Sequence, residues 1–344
     1  MSQHRGSPNR FSGPLHDVST DAGYVDPPPR MGFFTDTSIC IGCKACEVAC
    51  KQWNGVPDDG LLLTGMSYDN TAQLGANTWR HVAFVEQSAP IAPYLDAAAP
   101  EGPTNGDGWS AHADARAPSS RSAPADLGMP GMGVPQGAAA SVTLPDPQGT
   151  ITNDDMGVRW LMSSDVCKHC THAACLDVCP TGALFRTEFG TVVVQSDVCN
   201  GCGYCVPACP YGVIDQREGD GRVFKCTLCY DRLKVGEEPA CAKACPTDSI
   251  QFGELDELRE RAERRVAELH AKGVDVARLY GQDPKDGVGG DGAFFLLLDE
   301  PEVYGLPPDP VVTTRDLSSI WGHVTAAAVT IVGLAAASFV RRRR

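Results

Sequence analysis

Positive charge is scarce in this sequence. Its 344 residues carry 29 Lys and Arg against 43 Asp and Glu, a formal net charge of -14. A nucleic-acid binder neutralises phosphates with clustered cations, so this balance excludes one. An apolar leader is also missing. Met1 to Arg30 is polar, contains Pro27, Pro28 and Pro29, and shows neither a secretory core nor a twin-arginine motif. No Ser-His-Asp grouping, phosphate-binding glycine loop or isolated carboxylate pair marks a reaction centre. Hydrophobic residues, at 42%, are still enough to bury a core.

What the sequence has in excess is cysteine, 16 in all, in four groups of four. Group one is Cys40, Cys43, Cys46 and Cys50. Group two is Cys167, Cys170, Cys175 and Cys179; group three is Cys199, Cys202, Cys205 and Cys209; group four is Cys226, Cys229, Cys241 and Cys245. Groups two, three and four each end in Cys-Pro, at Pro180, Pro210 and Pro246, whereas Lys51 follows group one. Disulfide frameworks have no need of such short regular spacings. Zinc could use the two pairs of group four, yet a zinc site has no use for a third and fourth Cys within one eleven-residue run. The Cys-x2-Cys-x2-Cys-x3-Cys run is the bacterial ferredoxin signature of 4Fe-4S clusters, and the fourth Cys of each run ligates the other cluster of a pair.

A cubane needs four soft thiolates converging on one centre, and a tight loop supplies only three. Pairing the adjacent groups two and three makes one module, which leaves groups one and four for an outer module split by the inner one. The expected ligand sets follow. Cluster 1 takes Cys40, Cys43, Cys46 and Cys245; cluster 2 takes Cys226, Cys229, Cys241 and Cys50. Cluster 3 takes Cys167, Cys170, Cys175 and Cys209; cluster 4 takes Cys199, Cys202, Cys205 and Cys179. Lys44, Lys168, His169, His172 and Lys225 lie in or beside these loops, where they either tune a potential or are simply solvated.

The expected fold class is α+β: two tandem ferredoxin-like modules, one inserted in the other, plus a C-terminal transmembrane helix. Its parts are a polar tail (1–30), the first outer segment (31–86), an insertion (87–150), the inner module (158–220), the second outer segment (221–253), a helix and docking segment (254–318), and the anchor (319–344). Thr78 to Glu86 reads as a strand, Glu254 to Lys272 as an amphipathic helix stopped by Gly273, and Ala293 to Leu298 as a short apolar strand. Half of the residues between 87 and 150 are Ala, Gly or Pro, with no Cys and no sustained period. Ile320 to Val340 is uncharged and long enough to cross a bilayer; a buried core helix is the alternative. Arg341 to Arg344 follow it, while acidic residues dominate Asp299 to Asp316. By the positive-inside rule the C-terminus is cytoplasmic and the cluster domain lies on the outer face. His323, near the membrane boundary, is either interfacial or close to a haem or quinone site.

The stretch from Cys40 to Asn54, Cys-Ile-Gly-Cys-Lys-Ala-Cys-Glu-Val-Ala-Cys-Lys-Gln-Trp-Asn, resembles the opening of the iron-sulfur beta subunit of membrane-bound formate dehydrogenases. The order of the four groups, the single C-terminal helix and Glu302-Val303-Tyr304-Gly305-Leu306-Pro307 resemble that family too. The resemblance implies a non-catalytic chain that carries electrons through four 4Fe-4S clusters. Its partners would be a molybdopterin (molybdenum or tungsten) catalytic alpha subunit and a membrane cytochrome b gamma subunit that reduces quinone. The alternatives are the equivalent subunit of a hydrogenase or of another molybdopterin oxidoreductase, and a cluster- or zinc-bearing sensor or scaffold.

Overall fold

The computed structural model describes residues 18–59, 68–69, 71–88, 158–314 and 317–342. The insertion 87–150 lies outside them except for Gln87 and Ser88, which close a strand.

Ten strands are present among these residues: β1 Met31–Asp36, β2 Arg80–Ser88, β3 Val158–Val166, β4 Leu184–Arg186, β5 Val192–Val194, β6 Asp215–Gln216, β7 Val223–Phe224, β8 Ile250–Glu254, β9 Arg278–Tyr280 and β10 Ala293–Leu297. Four of them form a sheet in the order β8-β1-β10-β9. β1 runs parallel to β10 and antiparallel to β8, with Phe34 opposite Phe294 and Gln251. This sheet ties β1 to a segment about 260 residues later in the chain. Every residue of β10 is buried, as a strand covered on both faces requires.

Alternation along β1 sends adjacent aromatics to opposite faces. Phe34 joins a core with Phe294, Leu258, Ala262 and Leu269 beneath the helix Leu255–Ala271. Phe33 joins a second core that includes Cys46, Cys226, Leu228 and Cys241. One face of the sheet is therefore held by the helix, and the other backs onto cysteines. The helix follows the expected apolar spacing, and Gly273, at φ +82°, ends it by donating to the His270 carbonyl at 2.9 Å.

β2 and β3 pair antiparallel over their full nine residues, Arg80 opposite Val166 and Ser88 opposite Val158. β2 begins two residues later than the alternating pattern predicts, because Thr78 is taken up in a bridge to Gly75. Two short hairpins, β4-β5 and β6-β7, accompany groups two and three. The polar tail is not wholly separate. Residues Val18–Asp21 form one helical turn, Val18 and Ser19 are buried, and the Ser19 hydroxyl donates to the Thr187 carbonyl at 3.4 Å.

The helix Leu317–Arg342 is 26 residues long. Its span Ile320–Ser338 has a mean hydropathy of 1.7 and none of it is buried. The buried-core alternative therefore fails: this helix is long and apolar enough to cross a membrane, and the described part of the chain does not cover it.

Candidate metal centres

Each cysteine loop is built by the same backbone device. The residue just before the second cysteine has a positive φ in all four: Gly42 at +64°, His169 at +47°, Gly201 at +72° and Leu228 at +55°. That inversion turns successive N–H groups toward one side and makes a cradle for negative charge. At Gly201 only glycine also fits the space, since a Cβ would stand 2.6 Å from the Gly221 carbonyl oxygen. The Cys-Pro turns repeat as well. The amides of Gly182, Gly212 and Asp248 donate to the carbonyls of Cys179, Cys209 and Cys245 at 3.3 to 3.4 Å, and all three residues have positive φ. Thr181 and Thr247 place a hydroxyl 3.7 and 3.8 Å from the sulfurs of Cys179 and Cys245.

Group one lacks the proline for a physical reason. Cys46 and Cys50 lie inside the helix Ala45–Asn54, one turn apart, and a proline at 51 would clash with the preceding turn. Lys51 instead continues the helix.

The cysteines gather as quartets drawn from two places in the chain. Cys40, Cys43, Cys46 and Cys245 line one cavity of about 290 Å3. Cys167, Cys170, Cys175 and Cys209 line another of about 370 Å3, and Cys179, Cys199, Cys202 and Cys205 a third of about 270 Å3. Cys50 lies among Cys226, Cys241 and Cys229, and Asn54 Nδ2 sits 3.7 Å from Cys50 Sγ and 3.8 Å from Cys229 Sγ.

Burial pushes the thiol of Cys46 up to about 11, that of Cys175 to about 12 and that of Cys205 to about 11. Cys50 and Cys226 are driven higher still, first by burial and then by neighbouring sulfurs. Thiols raised in this way stay protonated unless a multivalent cation replaces their protons. Cys179 differs. Burial raises it, but the amides of Leu184, Thr181 and Ala183 and the Thr181 hydroxyl outweigh burial and hold it below the usual thiol range.

Buried cations stand around the quartets. Arg80 and Lys225 are fully buried, with no carboxylate partner among the described residues. Lys225 Nζ donates to the carbonyls of Val192 and of Cys226, the latter at 2.9 Å. Burial disfavours the charged Arg80, yet Cys241, Cys46, Cys226 and Cys50 together raise its pKa above the ordinary value. A buried cation costs several kcal/mol unless an anion faces it. Thiolate-bound iron-sulfur clusters carry that negative charge, and soft sulfur donors in fours suit iron. The residues present fit the group.

Two 4Fe-4S dicluster family models match the chain, one over residues 158–255 and the other over 39–183. The nitrate-inducible formate dehydrogenase iron-sulfur subunit of Escherichia coli is 35% identical over 290 residues, covering 83% of this chain and 74% of that protein. The formate dehydrogenase iron-sulfur subunit of Haemophilus influenzae is 36% identical, covering 88% and 76%. The B subunit of the E. coli anaerobic dimethyl sulfoxide reductase is 29% identical over 232 residues, covering 67% and 77%. The chain belongs to the iron-sulfur subunit family of formate dehydrogenases.

Within this iron-sulfur subunit the five loop residues noted in the sequence divide. Lys44 is half-buried and neutralised by Glu47 at 3.2 Å and Asp69 at 3.7 Å. Lys168, His169 and Lys225 are buried rather than solvated, and all three line the cavity of Cys167, Cys170, Cys175 and Cys209. Lys168 pairs with Asp165 and lies 4.9 Å from the Phe295 ring centre. Burial, Lys225 and Arg186 hold His169 well below its ordinary pKa, so it is neutral. Its Nδ1 accepts from the Val192 amide at 3.0 Å, which assigns the proton to Nε2. His172 is half-buried, and its amide donates to the Val288 carbonyl at 2.8 Å.

Sequence reasoning missed Arg80, Ser164 and Asp291. Arg80 and Ser164 both sit in strands, Arg80 thirty residues after Cys50 and Ser164 three residues before Cys167, and neither the spacing nor the residue type marks them as neighbours of Cys241 and Cys46. Asp291 is fully buried, accepts from the Tyr211 hydroxyl at 2.8 Å, and is pushed up to about 8 by burial.

Proposed function

We propose that this chain is a membrane-anchored electron conduit of a formate dehydrogenase complex, holding four 4Fe-4S clusters. The ligand sets are Cys40, Cys43, Cys46 and Cys245; Cys226, Cys229, Cys241 and Cys50; Cys167, Cys170, Cys175 and Cys209; and Cys199, Cys202, Cys205 and Cys179. The first two sets form an outer ferredoxin-like module, and the last two form an inner module inserted in it. The clusters supply one-electron transfer. The protein's own residues fix their positions, keep water from the buried sulfurs and counter their charge with Arg80, Lys168 and Lys225.

The observation that carries this reading is the convergence of four cysteine quartets, each completed by a cysteine from a distant loop. Two ligands of different quartets on one helix, Cys46 and Cys50, support short hops between neighbouring centres. Electrons enter from a molybdopterin catalytic subunit that oxidises formate and leave to a membrane cytochrome b subunit. The helix Leu317–Arg342 anchors the chain, its C-terminal arginines on the cytoplasmic side and the cluster domain on the outer face.

The complex, purified anaerobically from membranes, should contain about 16 iron atoms for each copy of this chain, beyond those of its partners. Formate should reduce its clusters, seen by electron paramagnetic resonance, and hydrogen should not. Reduction by hydrogen alone would assign the chain to the hydrogenase alternative. Protease digestion of intact cells tests the orientation, since a cluster domain protected until the cells are broken would reverse it.

A further inference from the structure

The hairpin β2-β3 carries a hydrogen-bonded path between two cysteine quartets. Arg80 Nη2 stands 3.2 Å from Cys241 Sγ. Arg80 Nη1 donates to the Ser164 carbonyl at 3.1 Å and to Ser164 Oγ at 3.3 Å. Ser164 Oγ in turn lies 3.2 Å from Cys46 Sγ. An iron-bound thiolate has no proton, so the Ser164 hydroxyl donates to Cys46, and accepting from Arg80 makes it the stronger donor. The Phe33 ring lies under the guanidinium, 4.8 Å away, and packs the fork into place. Cys241 and Cys46 belong to different ligand sets.

We propose that Arg80, through Ser164 on one side and directly on the other, is a shared positioning residue that raises the reduction potentials of the two outer-module clusters. This rests on the ligand sets proposed above. Each cluster gains one negative charge when it takes up an electron. A cation or donor at a ligand sulfur stabilises that reduced form, so the potential rises. Arg80 presents its full charge to Cys241 and reaches Cys46 as a polarised hydroxyl. The inner-module clusters receive no hydrogen bond from this hairpin side-chain pair.

The test uses the intact complex, purified anaerobically with Arg80→Gln, Arg80→Lys or Ser164→Ala, and redox titration followed by electron paramagnetic resonance. Arg80→Gln should shift two of the four midpoints downward by at least tenfold in the ratio of oxidised to reduced cluster at a fixed ambient potential. That is 59 mV for a one-electron couple. Arg80→Lys, which keeps the charge and loses the fork, should shift the same two by less. Ser164→Ala should lower one of those two by about threefold and leave the other three in place. A merely structural role would lower iron content without this pattern. Should Arg80→Gln lose clusters on purification, Ser164→Ala and Arg80→Lys decide alone. Unchanged midpoints in the assembled variants overturn the proposal, as does a Ser164→Ala shift at a cluster that Arg80→Lys leaves alone. Wild-type complex whose count assigns this chain clearly fewer than about 16 iron atoms overturns the ligand sets themselves, separately from the role of Arg80.

Discussion

Gly201 and Gly212 offer a controlled comparison between backbone strain and steric exclusion. Both have positive φ, +72° and +62°, in cysteine-bearing loops. Replacing either by alanine imposes the left-handed penalty of an L-residue, about 1 to 2 kcal/mol. At Gly212 nothing lies within 4 Å of the added Cβ, so that penalty is the whole cost. At Gly201 the Cβ meets the Gly221 carbonyl oxygen at 2.6 Å, a backbone atom that cannot swing aside. Gly221 is fixed in the turn between β6 and β7 by its amide to the Arg217 carbonyl at 2.8 Å. Gln216 Nε2 spans the carbonyls of Gly201 and Gly221 at 2.6 and 3.1 Å. Relieving the overlap means separating loop and hairpin, at a further cost of about 1 to 3 kcal/mol. The loop holds Cys199 and Cys202, so the strain falls on one cluster. The assay is iron per chain and the paramagnetic resonance spectrum after anaerobic purification and graded warming. Gly201→Ala should lose about four iron atoms under warming that leaves Gly212→Ala fully loaded. Equal retention by the two variants would refute the steric argument and leave only the shared φ penalty.

Other outcomes are equally specific. Cys46→Ser and Cys50→Ser, on adjacent turns of one helix, should perturb different clusters, so their spectra should lose different signals; loss of the same signal would contradict the ligand sets. Removing residues 317–344 should release the chain from membranes with its clusters retained, because none of Ile320–Ser338 is buried; fractionation and iron analysis read this directly. Phe294→Ala, in the fully buried β10, should cost about 3 to 5 kcal/mol and sharply reduce folded protein, measured as yield of assembled complex. Oxidative destruction of the clusters should leave Arg80 and Lys225 as uncompensated buried cations, and circular dichroism should show unfolding rather than a stable empty form.

The helix Leu255–Ala271 and strand β10 were legible because a local apolar pattern encodes each, a three- and four-residue spacing in the helix and an unbroken run in the strand, and both ends fell within one residue of the pattern. β2 was legible too, although its start was displaced where Thr78 pairs locally with Gly75. The apolar C-terminal stretch was equally plain, and only its lack of buried residues separated it from a core helix. The β8-β1-β10-β9 sheet was not legible, since nothing local tells Met31–Asp36 that its partner lies at Ala293–Leu297.

The chemistry of this protein follows from the sequence by itself. Sixteen cysteines in short, repeated spacings commit it to soft-metal clusters, because the donor type and the reach of a tight loop are local properties. The environment of those sulfurs is a tertiary matter. Lys44 and Lys225 both flank cysteines in the sequence, yet one is paired with carboxylates near the surface and the other is sealed against carbonyls. Arg80 and Ser164 reach the sulfurs of Cys241 and Cys46 only because a hairpin packs its side chains between two distant parts of the chain. Burial and charge depend on which segments meet, and no short stretch of sequence holds that information.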